Sequence, residues 1–376
     1  MTPAPAPATR SAPSMRQVTD LKWKHDWASA RAHHEQWWRG EGLVLWVTAP
    51  ADVPHEDLPD PGPAPTLDDR WYGAKWRTDR AAYDLSRTYF GGDSFPMLGT
   101  WSGAGDLAAY LGCPVELAPS TIWYEPVIAD PPEDHPPLRF SADGEVFRKT
   151  LAMIDEAVAR SGGRYLVSQP DIIENVDILA SLRGTQTLLM DMIERPEWVE
   201  RKLDEINAAF FEAFDAFYER LADGFGGNTF VFNVWGPGKT AKVQCDACSM
   251  FGPDMFRRFV APRLEAQCRW LDFSMYHLDG EECLVNLDAL LEVPSLQAVE
   301  WTPKFAYAHE GGGHPKWYDL YRRIRAGGKS VQAICVKPDE VIPLLDAVGP
   351  RGLFIDTRAA TEDEARGLEE TVAAYR

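Results

Sequence analysis

Ser274-Met275-Tyr276-His277-Leu278-Asp279-Gly280-Glu281-Glu282 is a strand-like run that ends in a histidine and an aspartate, turns on a glycine and continues into two glutamates. Burying its four ionisable side chains, which fall within six residues, would cost several kcal/mol if they were unpaired, so packing alone does not account for them. The junction of a strand with the following loop is where an α/β barrel keeps its chemistry. The stretch therefore reads as the centre of an active site, and it sets the frame for the rest of the chain.

Working outward, apolar runs at 164–169, 229–235, 296–301, 329–334 and 352–355 join 274–278 as strands. Amphipathic segments at 146–160, 184–194, 197–222, 253–273, 287–291, 316–326, 338–348 and 361–375 read as helices between them. Strands alternating with helices argue for a parallel sheet. A doubly wound dinucleotide fold would show G-x-G-x-x-G after its first strand, but Gly311-Gly312-Gly313 follows no strand directly and runs into His314-Pro315. The early strand at 43–48 helps to complete a set of eight. The expected fold is α/β, a (β/α)8 TIM barrel with an irregular N-terminal elaboration. Its parts are a disordered arm at 1–19, a cap with early barrel elements at 20–140 and the main barrel at 141–376.

The chain has 376 residues, 45% of them hydrophobic, enough for one large core. Its formal net charge of -19 repels phosphate backbones and anionic lipid, which argues against nucleic-acid and membrane-surface partners. Six cysteines in this length form no disulfide framework and point to a reducing cytoplasm. Cys245-Asp-Ala-Cys248 has the spacing of half a zinc knuckle, but no second pair matches it, so these cysteines read as incidental. No run approaches the roughly 18 apolar residues of a membrane span.

Several longer patterns carry a resemblance. They are Ser181-Leu-Arg-Gly184, Arg195-Pro-Glu197, Asp246 with Met250-Phe-Gly-Pro-Asp-Met-Phe256, and Pro262. His277-Leu-Asp-Gly280, Val299-Glu-Trp-Thr-Pro303, Pro338-Asp-Glu-Val341 and Gly352-Leu-Phe-Ile355 continue them. In order and spacing the chain resembles the uroporphyrinogen decarboxylase superfamily, nearest its decarboxylase-like members grouped with corrinoid-dependent methyltransferases. The resemblance implies a (β/α)8 barrel with its site at the C-terminal strand ends, and relatives that often pair as homodimers. The arginine-rich motif with which true decarboxylases hold their tetrapyrrole has no counterpart here, so uroporphyrinogen itself is not the expected substrate. The methyltransferase relatives bind zinc through a histidine, a cysteine two residues on and a distant cysteine. Here His277 stands in the histidine place and Asp279 in the first cysteine's, while Phe354-Ile-Asp356-Thr-Arg358 lies near the last. Thiolate ligation is therefore broken, and an oxygen-rich site containing His277 and Asp279 could hold a divalent metal such as zinc. The D-x-H-x-x-G signature of cobalamin modules is absent, so a corrinoid would come on a separate protein.

His277, Asp279, Glu282 and Asp246 are the catalytic candidates, a histidine among carboxylates being suited to general acid–base work. Trp101, Tyr124, Asn233, Trp235, Glu300, Trp301 and Arg358 are candidates for binding a small-molecule substrate. Asn233 and Trp235 would share one face of a strand, and the aromatic side chains would wall a pocket for a group that is apolar or cationic, such as a methylated amine or ether. The activity that the resemblance implies is methyl transfer to a corrinoid or thiol acceptor. The alternative is a metal-independent decarboxylase or lyase, with Arg183 or Arg358 gripping a carboxylate.

Overall fold

The structure is a computed structural model that describes residues 21–222, 224–306 and 309–376, so the arm at 1–19 lies outside the described residues. Its strands are β1 (Leu43–Pro50), β2 (Thr88–Gly92), β3 (Met97–Leu98), β4 (Val115–Leu117), β5 (Ile122–Tyr124), β6 (Leu166–Val167) and β7 (Gly227–Phe230). They continue as β8 (Val234–Pro237), β9 (Thr240–Gln244), β10 (Phe273–Asp279), β11 (Ala298–Thr302), β12 (Ser330–Val336) and β13 (Leu353–Arg358). Seven of them form one sheet in the order β2-β1-β13-β12-β11-β10-β9. Only β2 runs antiparallel to its neighbour. Helices Ala261–Trp270, Leu287–Leu291, Tyr318–Ala326 and Val341–Val348 connect successive parallel strands, as parallel pairing requires.

The fold is thus α/β, but among the described residues the seven-stranded ladder does not close on itself. β3 and β6 pair with each other, in parallel, outside the main sheet. Each is two residues long, and Pro96 and Pro170, which lack an N–H donor, stand close to their ends.

Two sequence expectations are corrected here. The stretch 229–235 is no single strand: β7 and β8 form an antiparallel hairpin, with Phe230 paired to Val234. Its tip residues Phe232 and Asn233 have φ of 74° and 64°, so the alternation that would place Asn233 and Trp235 on one face is broken. And β9 stands where no strand was expected, because its sequence Thr-Ala-Lys-Val-Gln shows little apolar pattern.

Apolar side chains pack on both faces of the sheet. On the outer face Tyr276, Val299, Trp301, Val331 and Ile355 meet the surrounding helices. On the inner face Val44, Trp46, Met275, Ala298 and Phe354 meet Phe230, Val234 and Trp235 of the hairpin and Trp27, Trp37 and Trp38 of the helix Trp27–Trp38. That helix lies at the N-terminal strand ends. The Trp37 indole donates to the Val331 carbonyl at 3.2 Å, and the Trp38 indole donates to the Trp235 carbonyl at 2.9 Å. Truncating a buried tryptophan of this kind costs about 3–5 kcal/mol. The tryptophans thus fill one end of the inner face and leave the C-terminal end to polar residues.

Candidate functional site

Register builds the site. His277 lies opposite Gln244 on β9 and Glu300 on β11, and Glu300 lies opposite Gln332 on β12. Residues paired across a ladder point the same way, so one row of polar side chains crosses the inner face of four neighbouring strands. Asp279, two residues beyond His277, is carried on the same side to the end of β10. Gly280 at φ 77° then turns the backbone, and its N–H donates to the Thr302 carbonyl at 2.9 Å.

Asp246 opens the short 3₁₀ turn after β9. Two arrangements aim it. The Asp177 carboxylate, on the helix Asn175–Arg183, accepts from the backbone N–H groups of Asp246 and Ala247, each at 2.8 Å. The Gln244 amide donates to Asp246 Oδ2 at 2.9 Å. Gln244 is bonded in turn to the buried Lys242 ammonium, which pairs with Asp171 at 2.5 Å. One donor atom each from Asp246, His277 and Asp279 then lies within 4.8 Å of the others. Nitrogen-and-oxygen donors at this spacing could close on a borderline divalent cation with small side-chain movements. The fit extends outward: His277 Nδ1 is hydrogen-bonded to buried Glu300, whose other oxygen accepts from the Thr302 hydroxyl at 2.8 Å. A carboxylate behind a histidine is the arrangement that fixes the ring of a metal-binding imidazole. His277 Nε2 faces Asp279 at 4.0 Å.

Burial alone would lower the proton affinity of His277, but Glu300 outweighs it and raises the imidazole above its usual value. Burial pushes Glu300 up, with His277 opposing. Asp246 is also raised, by desolvation and by Asp279, against the pull of His277 and Lys242. Burial and the neighbouring Asp246 lift Asp177 to about 7.

Asp356, near the third ligand position of the resemblance, bonds Asn233 at 2.8 Å, and the group that joins His277 and Asp279 is Asp246 instead. Burial raises Asp356 to about 7. Beside Asp246 opens a cleft of about 590 Å³, lined by Trp123, Tyr124, Ile173, Asp177, Asp246 and Met250 among others, with His277 and Asp279 behind its wall and outside its lining. Among the described residues its lining includes no lysine, arginine or histidine.

The remaining candidates fall in several places. Tyr124 lines the cleft, its hydroxyl donating to buried Asp106 at 2.8 Å. Glu300 is the partner of His277. Glu282 is exposed and paired with Lys304 at 2.6 Å, away from the triad. Trp301, on the outer face, packs on Trp317 at 4.9 Å, and Trp235 is core, edge-on to Trp27 at 5.8 Å. Trp101 folds its ring over Gly99. Arg358 is exposed at the end of β13, and Arg183 is buried against Asp191 and Asp130. The cysteines gather more than their spacing suggested: the Cys283 thiol donates to the Asp246 carbonyl at 4.0 Å, and Cys248 lies 3.9 Å from the Tyr276 hydroxyl.

Sequence reading missed Phe232, Asp177, Lys242 and Gln244. A lysine and a glutamine two apart within a buried strand were the available signal for the last two. Phe232 gave none, because nothing in Val-Phe-Asn marks a turn.

No protein-family model matches the chain, and no curated protein matches it. Among solved structures, a methyltransferase from Methanosarcina mazei superposes with a TM-score of 0.58 at 13% identity, over 92% of this chain and 98% of that one. At that identity the likeness shows a shared α/β fold. A GH138 enzyme targeting pectin rhamnogalacturonan II aligns over 85% of this chain and 35% of its own at a TM-score of 0.36, too low to carry an argument. Among the described residues no helix is long and apolar enough to cross a membrane.

Proposed function

We propose that this chain is a methyltransferase that moves a methyl group from a small methylated donor to a thiol or to a corrinoid carried on a separate protein. The carrying observation is the convergence of Asp246, His277 and Asp279 at the C-terminal ends of adjacent parallel strands, with Asp246 on the wall of a cleft whose lining, among the described residues, holds carboxylates and aromatic rings and no cation. The fold shared with a methyltransferase supports the reading. So does the position of the two arginines that would grip a carboxylated substrate, since Arg183 is engaged in ion pairs and neither it nor Arg358 lines the cleft. We read the architecture as an incomplete (β/α)8 barrel, in which β3 and β6 complete the set begun by β1 and β9–β13.

In the transfer, the bond from methyl to its donor heteroatom breaks, a bond from methyl to the acceptor forms, and the leaving heteroatom takes up a proton. Asp246, His277 Nε2 and Asp279 would hold a divalent ion, with Glu300 fixing the imidazole. Such an ion, when bound, favours the thiolate form of an acceptor or polarises the leaving atom. Without an ion, His277 itself would deliver the proton, its affinity raised by Glu300. The aromatic wall would receive the donor's apolar or cationic end.

The test is metal analysis of the purified protein, followed by turnover with methylated amines and methyl aryl ethers. Product is read as a methyl thioether with a thiol acceptor, or spectroscopically with cob(I)alamin. Stoichiometric divalent metal and turnover lost in His277→Ala and Asp279→Ala are the expected results. Release of CO2 from a carboxylated substrate, with no methyl product from any donor, would overturn the proposal in favour of the decarboxylase.

A further inference from the structure

The β7–β8 hairpin ends in a turn that its sequence does not favour. Phe232 and Asn233 both adopt left-handed backbone conformations. Asparagine tolerates that region, but a bulky phenylalanine there costs on the order of 1–3 kcal/mol and persists only where its surroundings hold it. The surroundings do hold it: the ring packs against the tryptophan-rich core of the inner face, and three further contacts lead toward the site. The Phe232 carbonyl accepts from the Gln332 amide of β12 at 2.8 Å. Asn233 Nδ2 donates to Asp356 of β13 at 2.8 Å. The Phe232 ring lies over the His277 imidazole of β10, with centroids 4.7 Å apart and planes 32° apart.

We infer that this tip is a positioning device for His277. Glu300 holds Nδ1 and the Phe232 ring covers one face, so the imidazole is fixed by an edge and a face together and Nε2 is left presented to Asp246 and Asp279. The anchors on Gln332 and Asp356 hold the phenylalanine in its strained conformation. A glycine in its place would suit the backbone better but would leave the imidazole held by Glu300 alone. The strain is thus tied to one aromatic contact. This rests on the reading of His277 as the functional histidine, and the experiment separates the two.

Zn2+ binding is measured by calorimetry for the wild type and for Phe232→Gly, Phe232→Leu and Phe232→Tyr, with thermal unfolding recorded for each. Loss of an outer group that orients a ligand costs roughly ten- to a hundredfold in metal affinity. The expected result is a loss of that size in Phe232→Gly without a lower melting temperature, a similar loss in Phe232→Leu, and recovery to within about twofold in Phe232→Tyr. A purely structural role would make affinity follow stability, which Phe232→Gly is chosen to prevent. Wild type and Phe232→Gly binding Zn2+ equally would overturn the inference while leaving the metal reading intact. A wild type that binds no Zn2+ would instead sink the metal reading, and imidazole NMR then decides the positioning role. One sharp His277 ring signal that broadens or splits in Phe232→Gly supports it, and an unchanged signal overturns it.

Discussion

The two halves of the inner face are built by opposite means. From β9 to β13 the strands are parallel, in regular register apart from one irregularity in the β12–β13 pairing, and the row Gln244, His277, Glu300 and Gln332 follows from that register alone. From β3 to β8 the strands are two to four residues long and pair only two by two, and a hairpin tip in strained conformation takes the place of a ladder. The regular half carries the groups that can do chemistry. The irregular half supplies a clamp and the cleft. A ladder places side chains by repetition and holds the imidazole by its edge through Glu300, whereas a hairpin can reach across to one residue and cover its face.

If that division is right, the largest losses belong to the regular half. His277→Ala and Asp279→Ala should each lower divalent-metal affinity beyond the roughly hundredfold that loss of an outer partner costs, and abolish methyl transfer, as read by calorimetry and product assay. The next effect lies where the halves meet. Burial holds Asp356 at about 7, far above an exposed aspartate. Because the folded value exceeds the unfolded one, its neutral form contributes stability that is complete below about pH 4 and is lost as the pH rises through about 7. Asp356→Asn keeps an acceptor for Asn233 and removes the titration. Its stability relative to wild type should therefore rise between pH 4 and 8 by up to about 4 kcal/mol, at about 1.4 kcal/mol per pKa unit, followed by denaturant unfolding across that range. A difference that stays flat with pH would show that the tip is not set against a buried acid. Glu300→Gln should weaken metal binding about ten- to a hundredfold with the fold intact, as checked by calorimetry and circular dichroism. The smallest effect belongs to Glu282→Gln, whose carboxylate pairs with Lys304 at the surface: turnover should stay within about twofold of wild type.

The regular half was also the legible one. His277 and Asp279 stood out because polar side chains follow a buried apolar run, and the strands β10 to β13 announced themselves by their apolar patterns. Asp246 came through a resemblance and not from its own surroundings. Its support by Asp177 could not be read, since it depends on how one helix end meets a turn about 70 residues away. β9 was hidden because Lys242 and Gln244 face inward and leave only Ala241 and Val243 to mark an apolar face. The hairpin was read as one strand because its turn lacks the glycine that left-handed positions usually call for. In each case tertiary contacts, and not local preference, chose the conformation.

The absence of any basic side chain from the cleft lining, among the described residues, has a kinetic consequence. On a protein of net charge -19, the field at that mouth draws cations in from bulk solution and turns anions away. Added salt shortens the reach of that field to about 10 Å at 0.1 M. The capture rate of a positively charged methyl donor should therefore fall steeply with ionic strength, while that of a neutral ether stays nearly level, so the salt dependence of kcat/KM alone would report the charge of the molecule the cleft is built to admit.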